Sequence, residues 1–380
     1  MEIAQLTGRR FLCRLLLLTA AIVSTIALAA CPGPDPEIKN KGAPMGTSPD
    51  DVEARFRHYL SKADYEELFP RRIGTALWLA EMPHAHIPEW QSYSYDYYSY
   101  ENIIAALRRI ANIELILEQH EGQSGAWTSK TSVRDKTTGA ITTVLQGGGF
   151  GEPWYNPNII RETVDYGSFM TQPNENDRKR ELAAWLANMA HETGGGWPTA
   201  PGGHFAWGLF YNEENGYAGR PGEHYAVPHA DFPPTQGKSY HGRGAKQLSY
   251  NYNYGQFSAV LFGDKQVLLD DPERVVRDPQ VGLMSSFWFW MTPQPPKPSC
   301  HQVIGGNWTP SQQHLNQGWT SKPSFGHTIN VINGGVEDNL TIADNRVYSR
   351  VGYYQRIAAK IGAVIYSDEK LDTQGVTPVG

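Results

Sequence analysis

Two glutamate positions in this chain have the surroundings that acid/base chemistry requires. Glu192 ends the run Ala190-His191-Glu192 and is followed by Thr193, the glycines Gly194 to Gly196, and Trp197. After Phe205-Ala206-Trp207-Gly208 comes a second acidic pair, Glu213-Glu214. Two separated carboxyl groups among aromatic residues suit cleavage of a sugar chain, in which one acid protonates the leaving oxygen and a base activates water. On these residues alone, Glu213 and Glu214 are rivals for the second role. A zinc-protease reading of His191-Glu192 fails on spacing, because the second histidine would fall at Gly195.

The element that must position Glu192 is a helix over Asp177 to about Glu192. Leu182, Trp185, Leu186 and Met189 recur at i, i+3, i+4 and i+7, and Glu192 falls on roughly the same face. Gly194 to Gly196 then stop the helix. A carboxylate at a helix C-terminus meets the negative end of the macrodipole, and partial burial acts in the same direction. Both effects predict a raised pKa, which suits an acid that keeps its proton near neutral pH. An isolated His-Glu would more simply be a surface glutamate or a structural ion pair; the glycines and aromatic flanks favour chemistry.

The chain of 380 residues could hold one large domain or two ordinary ones, and 40% hydrophobic content suffices for a sizeable core. Twenty Tyr and 11 Trp are many, and sugar clefts stack pyranose faces on such rings, although core packing accounts for most of them. The net charge of −6 argues against a nucleic-acid partner, which needs a basic face.

Residues 1–30 read as an export signal, with Arg9, Arg10 and Arg14 preceding an apolar run from Leu15 to Ala30. Leu28-Ala29-Ala30-Cys31 resembles a lipobox, so Cys31 is expected to carry lipid and to tether an exported protein to a membrane; cleavage at Ala27-Leu28-Ala29 and plain secretion is the alternative. The remaining cysteines are Cys13, in the leader, and Cys300, which excludes a disulfide framework and a Cys-rich zinc site. No metal or cofactor is expected, and the protein is expected to be a monomer.

Residues 31–57 read as lipidated cysteine and flexible tether, the Pro- and Gly-rich part running from Pro32 to Asp51. Short helices are expected over about 51–60 and, from a capping box at Ser61-Lys62-Ala63-Asp64, to about Phe69. Ser99 should cap a longer helix, Tyr100 to about Glu118. The stretch 113–175 reads as an insertion of unknown purpose, with a small hairpin formed by 131–133 and 140–144 around Lys136-Thr137-Thr138-Gly139. The run Gly147-Gly148-Gly149-Phe150-Gly151 is loop-like and is no phosphate loop, since no Lys-Ser/Thr follows. Residues 366–380 read as a polar tail without an assigned role.

A series of blocks in this order resembles the family 19 chitinases. They are Arg178 to Trp185, His191-Glu192-Thr193 with the glycines and Trp197, Phe205 to Gly208 leading to Glu214, and Gly242 to Gly255. Phe287 to Gln294, Lys297 to His301, Ile329 to Gly335 and Arg346 to Tyr354 complete the pattern, with weaker echoes at Tyr65 to Arg71 and Tyr98 to Ala106. The resemblance covers about 58–365. It implies a lysozyme-like α+β fold, mainly α, with a long substrate cleft, and endo-hydrolysis of β-1,4-N-acetylglucosamine links in chitin or chitooligosaccharides with inversion.

By position, Glu192 resembles the general acid, Glu214 the general base, and Ser249 the residue that holds the attacking water. Tyr240, Gln247, Tyr252, Asn253, Lys297 and Asn333 correspond to sugar contacts, with Trp197 and Trp207 expected nearby. Glu337 and Arg350 resemble a charged pair that tunes the acid, with Arg346 as the alternative arginine. The cysteines that staple plant members are missing, which suggests a bacterial-type version. A lysozyme-like enzyme acting on peptidoglycan and an inactive chitin-binding protein are the rival readings.

Overall fold

The computed structural model describes residues 43–72 and 96–379. The leader, Cys31 and the tether up to residue 42 lie outside the described residues. Twelve helices are described: α1 (Pro49–Tyr59), α2 (Lys62–Leu68), α3 (Tyr100–Ala111), α4 (Glu175–Glu192), α5 (Asn251–Phe262), α6 (Gln266–Asp270), α7 (Arg274–Arg277), α8 (Pro279–Met291), α9 (Cys300–Gly305), α10 (Gln312–Asn316), α11 (Phe325–Glu337) and α12 (Asn345–Ile361). Between α3 and α4 lies an antiparallel sheet of β1 (Ile113–His120), β2 (Ser129–Asp135), β3 (Ile141–Gln146) and β4 (Ile159–Asp165), in the order β3-β2-β1-β4. The fold is therefore α+β and mainly α, as expected.

Helix α4 is the centre of the packing. Asn174 caps it by accepting from the amides of Asn176 and Asp177, and Glu175 and Asp177 place acids in its first turn. Every residue from Arg180 to Ala190 is buried, so the helix is enclosed on all sides rather than on one stripe. Trp185 stacks on Phe287 of α8 at 4.4 Å and meets Phe169 and Phe56 edge-on. Buried Glu181 accepts hydrogen bonds from Met170 N, Gln172 Nε2, Trp290 Nε1 and His301 Nδ1 at 2.6–2.9 Å, tying four segments together. Burial tends to raise its pKa, but His301 and these donors hold it below the usual carboxylate range.

Four expectations need correction. The helix from Tyr100 ends at Ala111, and Ile113 to His120 form β1 instead. The alternation Ile113, Leu115, Leu117 faces the core with period two, which suits a strand. The segment given to the tether is packed from its later part onward: Ser48 caps α1, Val52 and Phe56 are fully buried, and Arg55 binds the carbonyls of Pro44, Gly46, Gly167 and Phe169.

The stretch 113–175 is not all peripheral, because Tyr166, Phe169 and Met170 lie in the core. The residues called a polar tail are also built in. Val376 and Val379 are 1% exposed, and buried Glu369 pairs with Arg180 of α4 at 2.6 Å. The hairpin forms as expected between β2 and β3. Cross-strand pairs Lys130–Glu118 and Glu118–Arg161, at 2.7 and 2.6 Å, fix the register of the outer face.

Candidate active site

A cleft of about 520 Å³ opens where the C-terminus of α4 meets the loop before α5, the loop after α8 and the middle of α11. Glu192, Glu214, Gln247, Ser249, Tyr252, Asn253, Lys297 and Asn333 all line it, so the structure brings eight expected residues together. They come from widely separated positions.

Glu192 is the last residue of α4, beyond which Thr193 caps the helix and its Oγ1 binds Met189 O at 2.7 Å. Its Oε1 accepts a hydrogen bond from Arg350 Nη2 at 2.6 Å. Arg350 lies fully buried on α12 and also binds both oxygens of Glu337, at 2.8 and 3.0 Å, and Asn188 Oδ1 at 3.0 Å. The arginine between the two acids is therefore Arg350; Arg346 points outward to Asp344 and to Val336 O. Burial pushes the Glu192 carboxyl up, but Arg350, Lys246 and His191 together overcome it and hold the pKa at about 2. The raised value expected from the helix end does not occur in the free protein, because a close guanidinium outweighs a dipole.

Glu214 sits on the loop facing this pair. Tyr225 Oη donates to its Oε1 at 2.8 Å and Gly242 N to its Oε2 at 3.0 Å, while Glu214 N donates to Gly242 O at 2.8 Å. Glu213 points elsewhere: it is buried, with Oε1 accepting from His241 Nε2 at 2.7 Å and Arg243 Nε at 3.0 Å. Of the two adjacent acids, Glu214 lines the cleft and Glu213 does not.

The 242–253 segment is held in an unusual backbone. Gln247 and Tyr250 have φ of 52° and 70°, sparsely populated values for residues with a Cβ, on either side of Ser249. Ser249 Oγ donates to Gln247 O at 2.9 Å, and Asn253 Nδ2 to Ser249 O at 2.9 Å. Opposite, Asn333 leaves helical geometry inside α11 (φ −145°), and its Nδ2 donates to Glu337 Oε1 at 2.8 Å. Burial lowers the pKa of Lys297, whose Nζ is 3.5 Å from Val331 O.

Three expected sugar contacts do not line this cleft. Tyr240 is fully buried, its hydroxyl donating to Leu269 O at 2.7 Å. Trp207 is fully buried too, with Nε1 donating to Pro201 O, and half-buried Trp197 packs on it at 5.4 Å. The two tryptophans belong to a small apolar cluster with Ala200, Ala206 and Phe210. The sequence reading missed Tyr225, Lys246, Tyr250, Phe289, Gln294 and Ile332. The Tyr250-Asn251-Tyr252 run was a usable signal, since Tyr250 and Tyr252 stack at 5.4 Å and 13°.

The profile of the family described as chitinase class I matches residues 151–373. Rice (Oryza sativa subsp. japonica) Chitinase 9 is 44% identical over 204 residues, 54% of this chain and 58% of the rice protein. Basic endochitinase of Vitis vinifera is 44% identical over 222 residues, 58% of this chain and 67% of the grape protein. The chain thus spans less than two thirds of the rice relatives, 58% of Chitinase 9 and 60% of Chitinase 3. Among solved structures, chitinase C from Streptomyces griseus HUT6037 aligns with a TM-score of 0.47 at 22% identity, over 83% of this chain and 97% of that one.

Proposed function

Because the chain belongs to family 19 of the glycoside hydrolases, the chitinase class I family, we propose that it cleaves internal β-1,4 links of N-acetylglucosamine polymers with inversion. The observation that carries this reading is that one cleft holds two carboxyl groups in different chemical settings. Glu192 is paired with a guanidinium, and Glu214 is held by a phenol and an amide.

Glu214 acts as the base. Two hydrogen bonds orient its oxygens, and it takes a proton from a water as that water attacks the anomeric carbon. Ser249 Oγ gives its own proton to Gln247 O and so accepts one from the water, orienting it. Glu192, protonated in the complex, passes its proton to the departing glycosidic oxygen on the other face. Such a pair needs about 6.5–9.5 Å between carboxyls to admit the water. The amides of Gln247, Asn253 and Asn333 offer donors and acceptors to N-acetyl and hydroxyl groups.

The test is to digest chitin hexasaccharide and bacterial cell wall separately and follow the first turnovers by proton NMR. Soluble sugars from the hexasaccharide with the α-anomer first are expected. Release from cell wall alone would make the enzyme a peptidoglycan hydrolase, and a β-anomer would make Glu214 a nucleophile. We further propose export with acylation at Cys31, supported by Leu28-Ala29-Ala30-Cys31. The intact mass of the mature N-terminus should show the acyl groups, and an unmodified terminus would refute the anchor.

A further inference from the structure

The sheet between α3 and α4 carries aromatic rings that the cleft does not use. Trp127 is 62% exposed and Trp154 72% exposed, a large apolar area for water to cover. The Trp127 indole lies along Gly148 and Gly149. A methyl placed on Gly148 would stand 2.6 Å from Cζ3 and Cη2, and one on Gly149 would collide with Nε1. Both rings of the indole are thus backed by bare glycine backbone, which leaves the opposite face open. This gives the Gly147-Gly148-Gly149 run a physical reason: side chains at Gly148 and Gly149 would lift the indole off its seat, and one at Gly147 would strike the backbone of Ala126 and Trp127.

A second row of rings starts beside the glycines, passes through buried His120 and ends at exposed Trp154. Phe150, next after the glycines, packs on His120 at 5.1 Å; His120 meets Tyr155 at 5.7 Å, and Tyr155 meets Trp154 at 6.4 Å. His120 lies on the strand face opposite Leu115 and Leu117, so the row faces away from the core. Asn156 and Asn158 sit exposed beside it. Strand β3 also packs against α5, whose first turn supplies Tyr252 and Asn253 to the cleft, so the sheet adjoins the helix that walls the site.

We infer that Trp127 and Trp154 form an accessory binding surface for the same N-acetylglucosamine polymer, separate from the catalytic cleft; the identity of the polymer rests on the function proposed above. A flat, rigidly backed indole with an open face is complementary to the C–H face of a pyranose ring. Neighbouring amides suit hydroxyl and N-acetyl groups. A second attachment point on an insoluble polymer raises the effective concentration of chain at the cleft.

The experiment compares the mature wild-type chain with Trp127→Ala, Trp154→Ala and the double variant. Retention on insoluble chitin is measured in the cold, and hydrolysis of soluble hexasaccharide in parallel. Each single variant should weaken retention about tenfold and leave hexasaccharide hydrolysis unchanged. Wild-type retention by the double variant would overturn the inference. Should Trp127→Ala unseat the glycine run and unfold, Trp154→Ala decides alone, because its ring is mostly in solvent. A wild-type chain that ignores the hexasaccharide would instead refute the reading of the cleft, a separable failure.

Discussion

Arg350 divides its N–H groups among Glu337, Asn188 and Glu192, and in the proposed mechanism that division sets when Glu192 can act. Glu337 takes Nε and shares Nη2, while Asn188 takes Nη1, so Arg350 stays paired even if Glu192 leaves. In the free protein Glu192 is ionised, with a pKa of about 2. A general acid must carry a proton in the complex. In the proposed mechanism a bound sugar chain supplies the difference by displacing water from a carboxyl that burial already pushes upward and by parting it from Arg350. The basic limb of kcat/KM reports the free protein and that of kcat the complex. The kcat limb should therefore lie at higher pH, and coincident limbs would show that Arg350 keeps Glu192 ionised throughout. Glu192→Gln still accepts from Arg350 but has no proton of suitable acidity. It should lose activity by about 10²–10⁴-fold with oligosaccharide binding retained; unchanged turnover would remove Glu192 from the mechanism.

At the scale of elements, residues 241–243 form a strip gripped from two sides by adjacent acids. Side chains of His241 and Arg243 hold Glu213, and the backbone of Gly242 between them holds Glu214. Glu213 thus steadies the amide that orients Glu214, the proposed base. Glu213→Gln keeps one acceptor for Arg243 but loses the charge, which should cost about 1–3 kcal/mol in denaturant unfolding and lower kcat more than it raises KM. A change in stability with kcat untouched would make the strip structural only. This clamp was invisible in the sequence, where Glu213 read as a rival base. What was legible followed periodicity, as in α4, whose Leu182, Trp185, Leu186 and Met189 share the expected spacing. Local pattern overran α3 because Ile113, Leu115 and Leu117 are apolar in either periodicity, and only their pairing with β2 and β4 makes them a strand. Trp207 and Tyr240 were misplaced for another reason: a ring beside a cleft and a ring in the core look alike until burial is known. Glu369 reaching back to Arg180, 189 residues away, has no local signature at all.

Across the whole molecule, buried titratable groups, in the core as well as at the site, make it sensitive to acid. His191 and His327 are held near pKa 3 and 4, below their ordinary 6.5, chiefly because burial disfavours the charged ring. Glu192 sits at about 2 against an ordinary 4.5. For each of the three, the unfolded chain binds the proton at higher pH than the folded one does, so acidification favours unfolding. The histidines begin to cost stability as pH falls below about 6.5, and Glu192 and Glu181 add to this below about 4.5. His301 works the other way: beside Glu181 its pKa is raised, so its contribution is complete below about 6.5 and is lost as pH rises through the folded value. The melting temperature should therefore peak near neutrality and fall continuously from about pH 6 to pH 3. His327→Phe separates the contributions, since His327 stacks on Trp319 at 5.1 Å, away from the cleft, and a phenyl ring can take the same place. That variant should flatten the decline between about pH 6 and 4 while the steeper loss near pH 3 persists. An unaltered pH profile for the variant would mean that acid opens the protein elsewhere, through the Arg350 and Glu181 clusters alone.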